Sequence, residues 1–96
     1  MEIRKVNENK KQFLSLLLLA DEQEDMVNRY LEKGTMYVLD DCGVKAECIV
    51  TDEGDGILEI KNIAVMPEHQ RVGYGRTLID FLVRQYAGHY TLLQVG

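Results

Sequence analysis

Basic residues are the minority charge in this 96-residue chain, with 11 lysines and arginines against 16 acids and a net charge of −5. General nucleic-acid binders draw most of their affinity from neutralising phosphates. The shortage of cations, with no basic patch interleaved with aromatics, argues against that class. Cysteine is scarce too. Only Cys42 and Cys48 occur, with no Cys-x-x-Cys pair and no Cys/His spacing for a metal. No metal site is expected, and the two thiols fit strand or turn positions in a reducing compartment. Long apolar runs are absent: Leu16-Leu17-Leu18-Leu19 is far short of the roughly 20 residues of a membrane span. The start, Met1-Glu2-Ile3-Arg4-Lys5-Val6, leads into polar Asn7-Glu8-Asn9-Lys10 without a signal-peptide pattern. A cytoplasmic protein with no membrane or nucleic-acid partner is expected.

What is present describes one small folded domain spanning residues 1–96. Apolar residues make up 46% of the chain, too many for disorder. At this length roughly two-thirds of the unfolded surface can be buried, enough for a thin core. The acidic balance suits steering of a cationic amine, or simply a solvated surface.

Residues 2–6 read as a strand, and residues 13–20 as a helix with one buried face. Asp21 and Glu24 have the spacing of a helix cap with its reciprocal acid. Met26, Val27, Tyr30 and Leu31 then recur at helical intervals up to the stop at Gly34. Strands are expected at residues 35–39, 44–51 and 57–66, separated by the polar turns 40–43 and 52–56. The last of these alternates first and turns continuously apolar after Asn62, as if burial changed from one-sided to two-sided. Pro67 ends it. Leu78, Ile79, Leu82, Val83 and Tyr86 mark an amphipathic helix stopped by Gly88, and residues 90–95 form a final strand. The order is β-α-α-β-β-β-α-β, an α+β fold with a mixed, mainly antiparallel sheet.

Chemistry concentrates in Pro67-Glu68-His69-Gln70-Arg71-Val72-Gly73-Tyr74-Gly75-Arg76, between a strong strand and a strong helix. Glycines at 73 and 75 let the backbone approach a ligand closely. The first N–H groups of the following helix have no partner within it and sit at its positive end, which makes an anion site. Each charge-assisted bond to a phosphate oxygen contributes about 1.5–3 kcal/mol net. Three or four would hold a pyrophosphate without a metal, with Arg71 and Arg76 adding positive charge. A Walker loop would put glycine at 70 and lysine at 76, where Gln70 and Arg76 stand. A dinucleotide fingerprint would need glycine at Leu78 and an acid about twenty residues on, where none occurs. A bare Gly-x-Gly also serves as a plain strand-to-helix turn, so its surroundings decide.

Those surroundings carry a resemblance. Gln70-Arg71-Val72-Gly73-Tyr74-Gly75 resembles the Gln/Arg-x-x-Gly-x-Gly/Ala loop of the GNAT N-acetyltransferase superfamily. Asn62-Ile63-Ala64-Val65-Met66-Pro67-Glu68-His69 is similar to that family's fourth strand and the link into its loop. Residues 77–86 resemble its third helix, and the element order matches up to the fifth strand. The resemblance implies an acyltransferase that moves an acetyl group from acetyl-CoA to a primary amine by direct attack, with no metal. The amine would be a small molecule, a protein lysine or an N-terminus. The alternative it leaves is an acetyl-CoA-binding module without turnover.

By the same resemblance, Gln70, Arg71, Val72, Gly73, Tyr74, Gly75 and Arg76 would hold the pyrophosphate. Ile63, Ala64 and Val65 would line the pantetheine arm, and the Val65 N–H would polarise the acetyl carbonyl. Glu59 would be the general base, its pKa raised by partial burial, or else a solvated strand residue sharing a face with Lys61. His69 and His89 read as loop residues. The family usually continues into a fourth helix, carrying a tyrosine that protonates the thiolate, and two more strands. All three elements are expected to be missing here. The edge of strand 90–95 then offers a homodimer contact.

Overall fold

The computed structural model describes residues 1–96. Strand β1 (Glu2–Val6) is followed by a 3-10 turn (Lys10–Phe13) and two helices, α1 (Leu14–Ala20) and α2 (Glu24–Leu31). Three strands come next, β2 (Thr35–Asp40), β3 (Val44–Gly54) and β4 (Ile57–Val65). A second 3-10 turn (Pro67–His69), helix α3 (Tyr74–Gln85) and strand β5 (Leu92–Val95) complete the order. The five strands lie side by side in chain order. β1 to β4 pair antiparallel, while β5 returns across α3 and pairs parallel with β4. This is the expected mixed, mainly antiparallel α+β fold.

Helices cover both faces of the sheet, and strand alternation feeds two cores. Met36 and Val38 of β2 face Leu17 of α1 and Val27, Tyr30 and Leu31 of α2. Tyr37 and Leu39 of the same strand face Leu78 and Leu82 of α3 on the other side. Leu17, Leu78 and Leu82 have no exposed surface. Each such leucine contributes about 1.5–3 kcal/mol by leaving water.

Two local expectations change, and one cap is new. Asp21 does not cap α2: the residue at the cap is Gln23, with no side-chain bond. The Asp21 carboxylate instead accepts a bond from Tyr30 Oη at 3.2 Å. The other end of α2 is capped from a distance by Lys10, only 8% exposed, whose Nζ donates to the carbonyls of Leu31, Glu32 and Gly34. Finally, α3 starts at Tyr74, one turn before its apolar periodicity, because that first turn faces a cleft rather than the core.

Candidate functional site

The site begins with a fault in the sheet. Ile49 stands opposite Asn62 and Val50 opposite Ile60, so Lys61 is an extra residue in β4 with no partner on β3. A bulge of this kind bends its strand and shifts the pleat by one. Before it, Leu58 and Ile60 point into the α3 core. After it, Ile63 and Val65 pack on that side, while Asn62 bonds to α1 and α2 on the other. The continuously apolar run 63–66 therefore reflects a pleat shift, and burial still alternates along the whole strand.

The same shift exposes backbone. Met66 N–H donates to Lys45 O at 2.9 Å, and antiparallel alternation then aims the N–H groups of Asn62 and Ala64 at β3. Those of Ile63 and Val65 point the opposite way. β5 could receive them, but its register with β4 ends at Ile60, where Gly96 N–H reaches Ile60 O at 2.9 Å. Past Ile60 no strand of residues 1–96 lies against this side of β4, and its edge is open. Gln70 Nε2 donates to Val65 O at 3.2 Å and ties the following loop to this edge.

Arg71 and Gly73 both take left-handed backbone, at φ of 67° and 94°. For Arg71 this is an uncommon and strained conformation, while Gly73 adopts it without a Cβ penalty. Left-handed residues at intervals turn successive N–H groups into one concavity, an anion-binding nest. The N–H groups of Arg71, Val72 and Gly73 have no backbone acceptor, and the first bond of α3 is Thr77 N–H to Gly73 O at 2.9 Å. Tyr74, Gly75 and Arg76 thus add three more free donors at the positive end of a twelve-residue helix. Tyr74 Oη donates to Asp41 at 2.7 Å, which fastens this first turn to the β2–β3 loop. A Cβ on Gly75 would stand 3.7 Å from Val65 Cγ2, so a larger side chain there would enter the gap between helix and strand.

These parts bound a cleft of about 500 Å³. Of the ten residues expected to hold a coenzyme, it gathers Ile63, Ala64, Val65, Gln70, Arg71, Gly73, Tyr74, Gly75 and Arg76. Val72 alone does not line it; its side chain points outward, 65% exposed. Leu19 and Ala20 of α1 and Ile79 of α3 complete the walls, and no motif had marked them. Ile79 reads as a core position of α3 in sequence, yet it is 39% exposed and faces this cleft.

Ala20 is shared with a second groove, bounded by Asp21, Met26, Arg29, Tyr30, Lys33, Glu59 and Lys61. Glu59 precedes the bulge and lies beside Gln94 of β5. Gln94 Nε2 donates to one carboxylate oxygen at 2.6 Å, and Lys61 Nζ lies 2.5 Å from the other. The raised pKa expected from burial is not found. The Lys61 contact, then the Gln94 bond, holds the Glu59 carboxyl below the ordinary carboxylate range.

An acid with the opposite character escaped the sequence reading. Glu47 of β3 has no exposed surface and no hydrogen-bond partner, and burial pushes its pKa up to about 8. In sequence it passes for one polar residue of an alternating strand. Cys48 beside it is equally buried, its thiol pushed up to about 12 and inert.

An open sheet edge thus runs into a nest of free N–H groups, an arrangement whose donors suit an extended ligand that ends in phosphate. Residues 32–95 match the family model described as Acetyltransferase (GNAT) domain. The chain belongs to the GNAT acetyltransferase family. No curated protein matches it in sequence. Among solved structures, it is similar to a GNAT family acetyltransferase from Elizabethkingia anophelis with acetyl-CoA bound, at 26% identity and a TM-score of 0.81 over 88% of this chain. It is also similar to the IAA acetyltransferase of Bacillus cereus, at 30% identity and a TM-score of 0.76 over 88% of this chain. An acetyltransferase of Bacillus subtilis in complex with CoA gives 30% identity and a TM-score of 0.78 over 86%. The chain spans 56%, 57% and 55% of these three proteins. No helix is long and apolar enough to cross a membrane.

Proposed function

We propose that this chain binds acetyl-CoA in the cleft along β4 and transfers its acetyl group to a primary amine, a small molecule or a protein lysine or N-terminus. The observation that carries the reading is a continuous line of free backbone donors. The open N–H groups of Ile63 and Val65 lead directly to the free N–H groups of residues 71–76. The first pair suits the amides of a pantetheine arm, as an added strand would pair, and the second suits its pyrophosphate. The Val65 N–H is the donor assigned to the acetyl carbonyl, where negative charge grows as the amine adds.

The amine enters from the groove beyond Ala20. Its nitrogen forms the new bond to the acetyl carbon, the carbon–sulfur bond breaks, and the thiolate leaves with the coenzyme. Glu59 takes the proton that turns the arriving ammonium into the attacking amine, directly or through water, and the second proton, lost as the amide forms, goes to the departing thiolate through solvent. Lys61 must yield for this to happen, and an arriving ammonium replaces its charge on the Glu59 carboxylate. One observation favours a second reading, coenzyme binding without turnover: with Lys61 in place, Glu59 is a weak base.

Calorimetric titration with acetyl-CoA tests the shared claim, and absence of heat and of thermal stabilisation would sink both readings. Gly73→Ala should weaken binding roughly tenfold, because alanine disfavours left-handed backbone by about 1–2 kcal/mol. Free-thiol release with a panel of amines then separates enzyme from binder.

A further inference from the structure

The acyl-transfer chemistry leaves Glu47 without a role. It lies in mid-β3, wholly buried, and neither of its carboxylate oxygens meets a donor. Burying an unpaired ionised carboxylate costs far more than burying a neutral acid. Opposite it stand Val38 on β2 and Ala64 on β4. The titratable groups in electrostatic reach are Tyr30 from α2 and Cys48 from its own strand. Both hold their protons at neutral pH, and no cation offsets the burial. Glu47 is therefore a carboxylic acid under ordinary conditions, able to donate as well as accept.

One buried acceptor waits for a donor. Asn62 is 3% exposed, and its Oδ1 has no partner. Its Nδ2 is fully used, donating to Leu17 O and to Tyr30 Oη at 3.0 Å each. Glu47 pairs with Ala64 and Asn62 with Ile49, so the two are diagonal neighbours on one face of the β3–β4 ladder. Long side chains reach across that diagonal. We propose that Glu47 is a positioning residue: its carboxylic acid donates to Asn62 Oδ1, directly or through one buried water, and fixes the amide that holds Tyr30 on the groove wall.

The polarity of this line is set from the inside. Tyr30 Oη accepts from Asn62 and sends its own proton to Asp21 Oδ2 at 3.2 Å. Glu47, Asn62, Tyr30 and Asp21 thus run from the core to the groove that takes Glu59 as its base. An ionised Glu47 has nothing to donate. The Asn62 amide would then turn to donate into it, releasing Leu17 and Tyr30. The inference rests on the proposed function only in assigning this groove to the amine; the hydrogen-bond line does not need it.

NMR of the full chain, with neither coenzyme nor amine present, provides the test. The Glu47 carboxyl carbon should titrate near the midpoint of about 8, with the Asn62 side-chain amide and Tyr30 ring signals moving in step. In Glu47→Met, of similar volume but without a donor, the Asn62 amide protons should exchange roughly tenfold faster, as loss of one buried hydrogen bond allows. Glu47→Gln, whose N–H replaces the acid's O–H, should keep the wild-type Asn62 signals and lose the pH step. Titration of Glu47 in the ordinary carboxylate range overturns the proposal, as do Asn62 and Tyr30 signals indifferent to Glu47→Met. If the methionine variant does not fold, a pH step that persists in Glu47→Gln overturns it instead. An acetyl-CoA titration on wild type and Glu47→Gln keeps the two questions apart. Absent binding in wild type refutes the functional reading and leaves the NMR result standing.

Discussion

The two halves of β4 are built from similar residues and behave differently. Residues 57–60 are paired on both edges, with β3 and with β5, and send Leu58 and Ile60 into the α3 core. Residues 62–65 are paired only with β3, and their other edge is open. One unpaired residue, Lys61, separates them. A sheet cannot both close on itself and receive a ligand along the same strand. The N-terminal half of β4 is occupied by strands on both sides, and the C-terminal half keeps one edge free. The bulge also decides which atoms face that free edge: had β4 run on with Lys61 paired in regular register, the N–H groups of Asn62 and Ala64 would point there.

The sharpest way to break this comparison is to place proline on alternate positions of the open half. Val65→Pro removes an N–H that faces only the cleft, a position that tolerates proline as an edge strand does. Thiol release with any amine the chain turns over should fall about 100-fold or more, the usual cost of losing an oxyanion donor. The urea midpoint should stay near wild type. Ala64→Pro removes an N–H that belongs to the β3 ladder and should unfold the domain. Equal stability in the two variants would show that the pleat shift has been placed wrongly.

Glu47 and Glu59 carry the same contrast into electrostatics, one on each side of the bulge along the β3–β4 ladder. The folded pKa of Glu47 is raised to about 8, above its ordinary 4.5, so the folded state holds a proton that the unfolded chain releases. The stabilising contribution of that proton is complete below pH 4.5 and is lost as pH rises towards 8. The slope is about 1.4 kcal/mol per pH unit within the window, levelling off above it. Urea unfolding from pH 5 to 9 should show stability falling by a few kcal/mol. Glu47→Gln should flatten that dependence.

Much of this was legible in the chain. Gly73, Gly75, Arg71 and Pro67 announce a tight anion loop because each constrains the backbone or charge by its covalent structure. Strand alternation and helix periodicity announce the order of elements because burial is periodic. The bulge was not legible: a one-residue pleat shift and a change to two-sided burial both give a run such as Ile63-Ala64-Val65. Lys10 and Glu47 were equally hidden, since a charged residue reads as solvent-facing until its neighbours in space are known. Asp21 shows the converse. Its spacing to Glu24 fits a cap, but Tyr30 competes for the same carboxylate and wins.

The smallest expected effect tests whether Glu59 is held in reserve or merely held. Lys61 is the unpaired residue of the bulge, and its ammonium is the first cause of the low Glu59 pKa. Removing it by Lys61→Met leaves Gln94 as the remaining partner of the carboxylate. The Glu59 carboxyl signal should then titrate at higher pH than in wild type, still short of the raised value a buried lone acid would show. Stability should change by no more than about 1 kcal/mol, as for other partly exposed ion pairs. If Glu59 is the base, the acidic limb of the rate profile should move upward with that titration, because a carboxylate protonated at higher pH is withdrawn from catalysis at higher pH. A carboxyl that shifts while the rate profile stays in place would remove Glu59 from the chemistry and leave the groove to Asp21 and Tyr30.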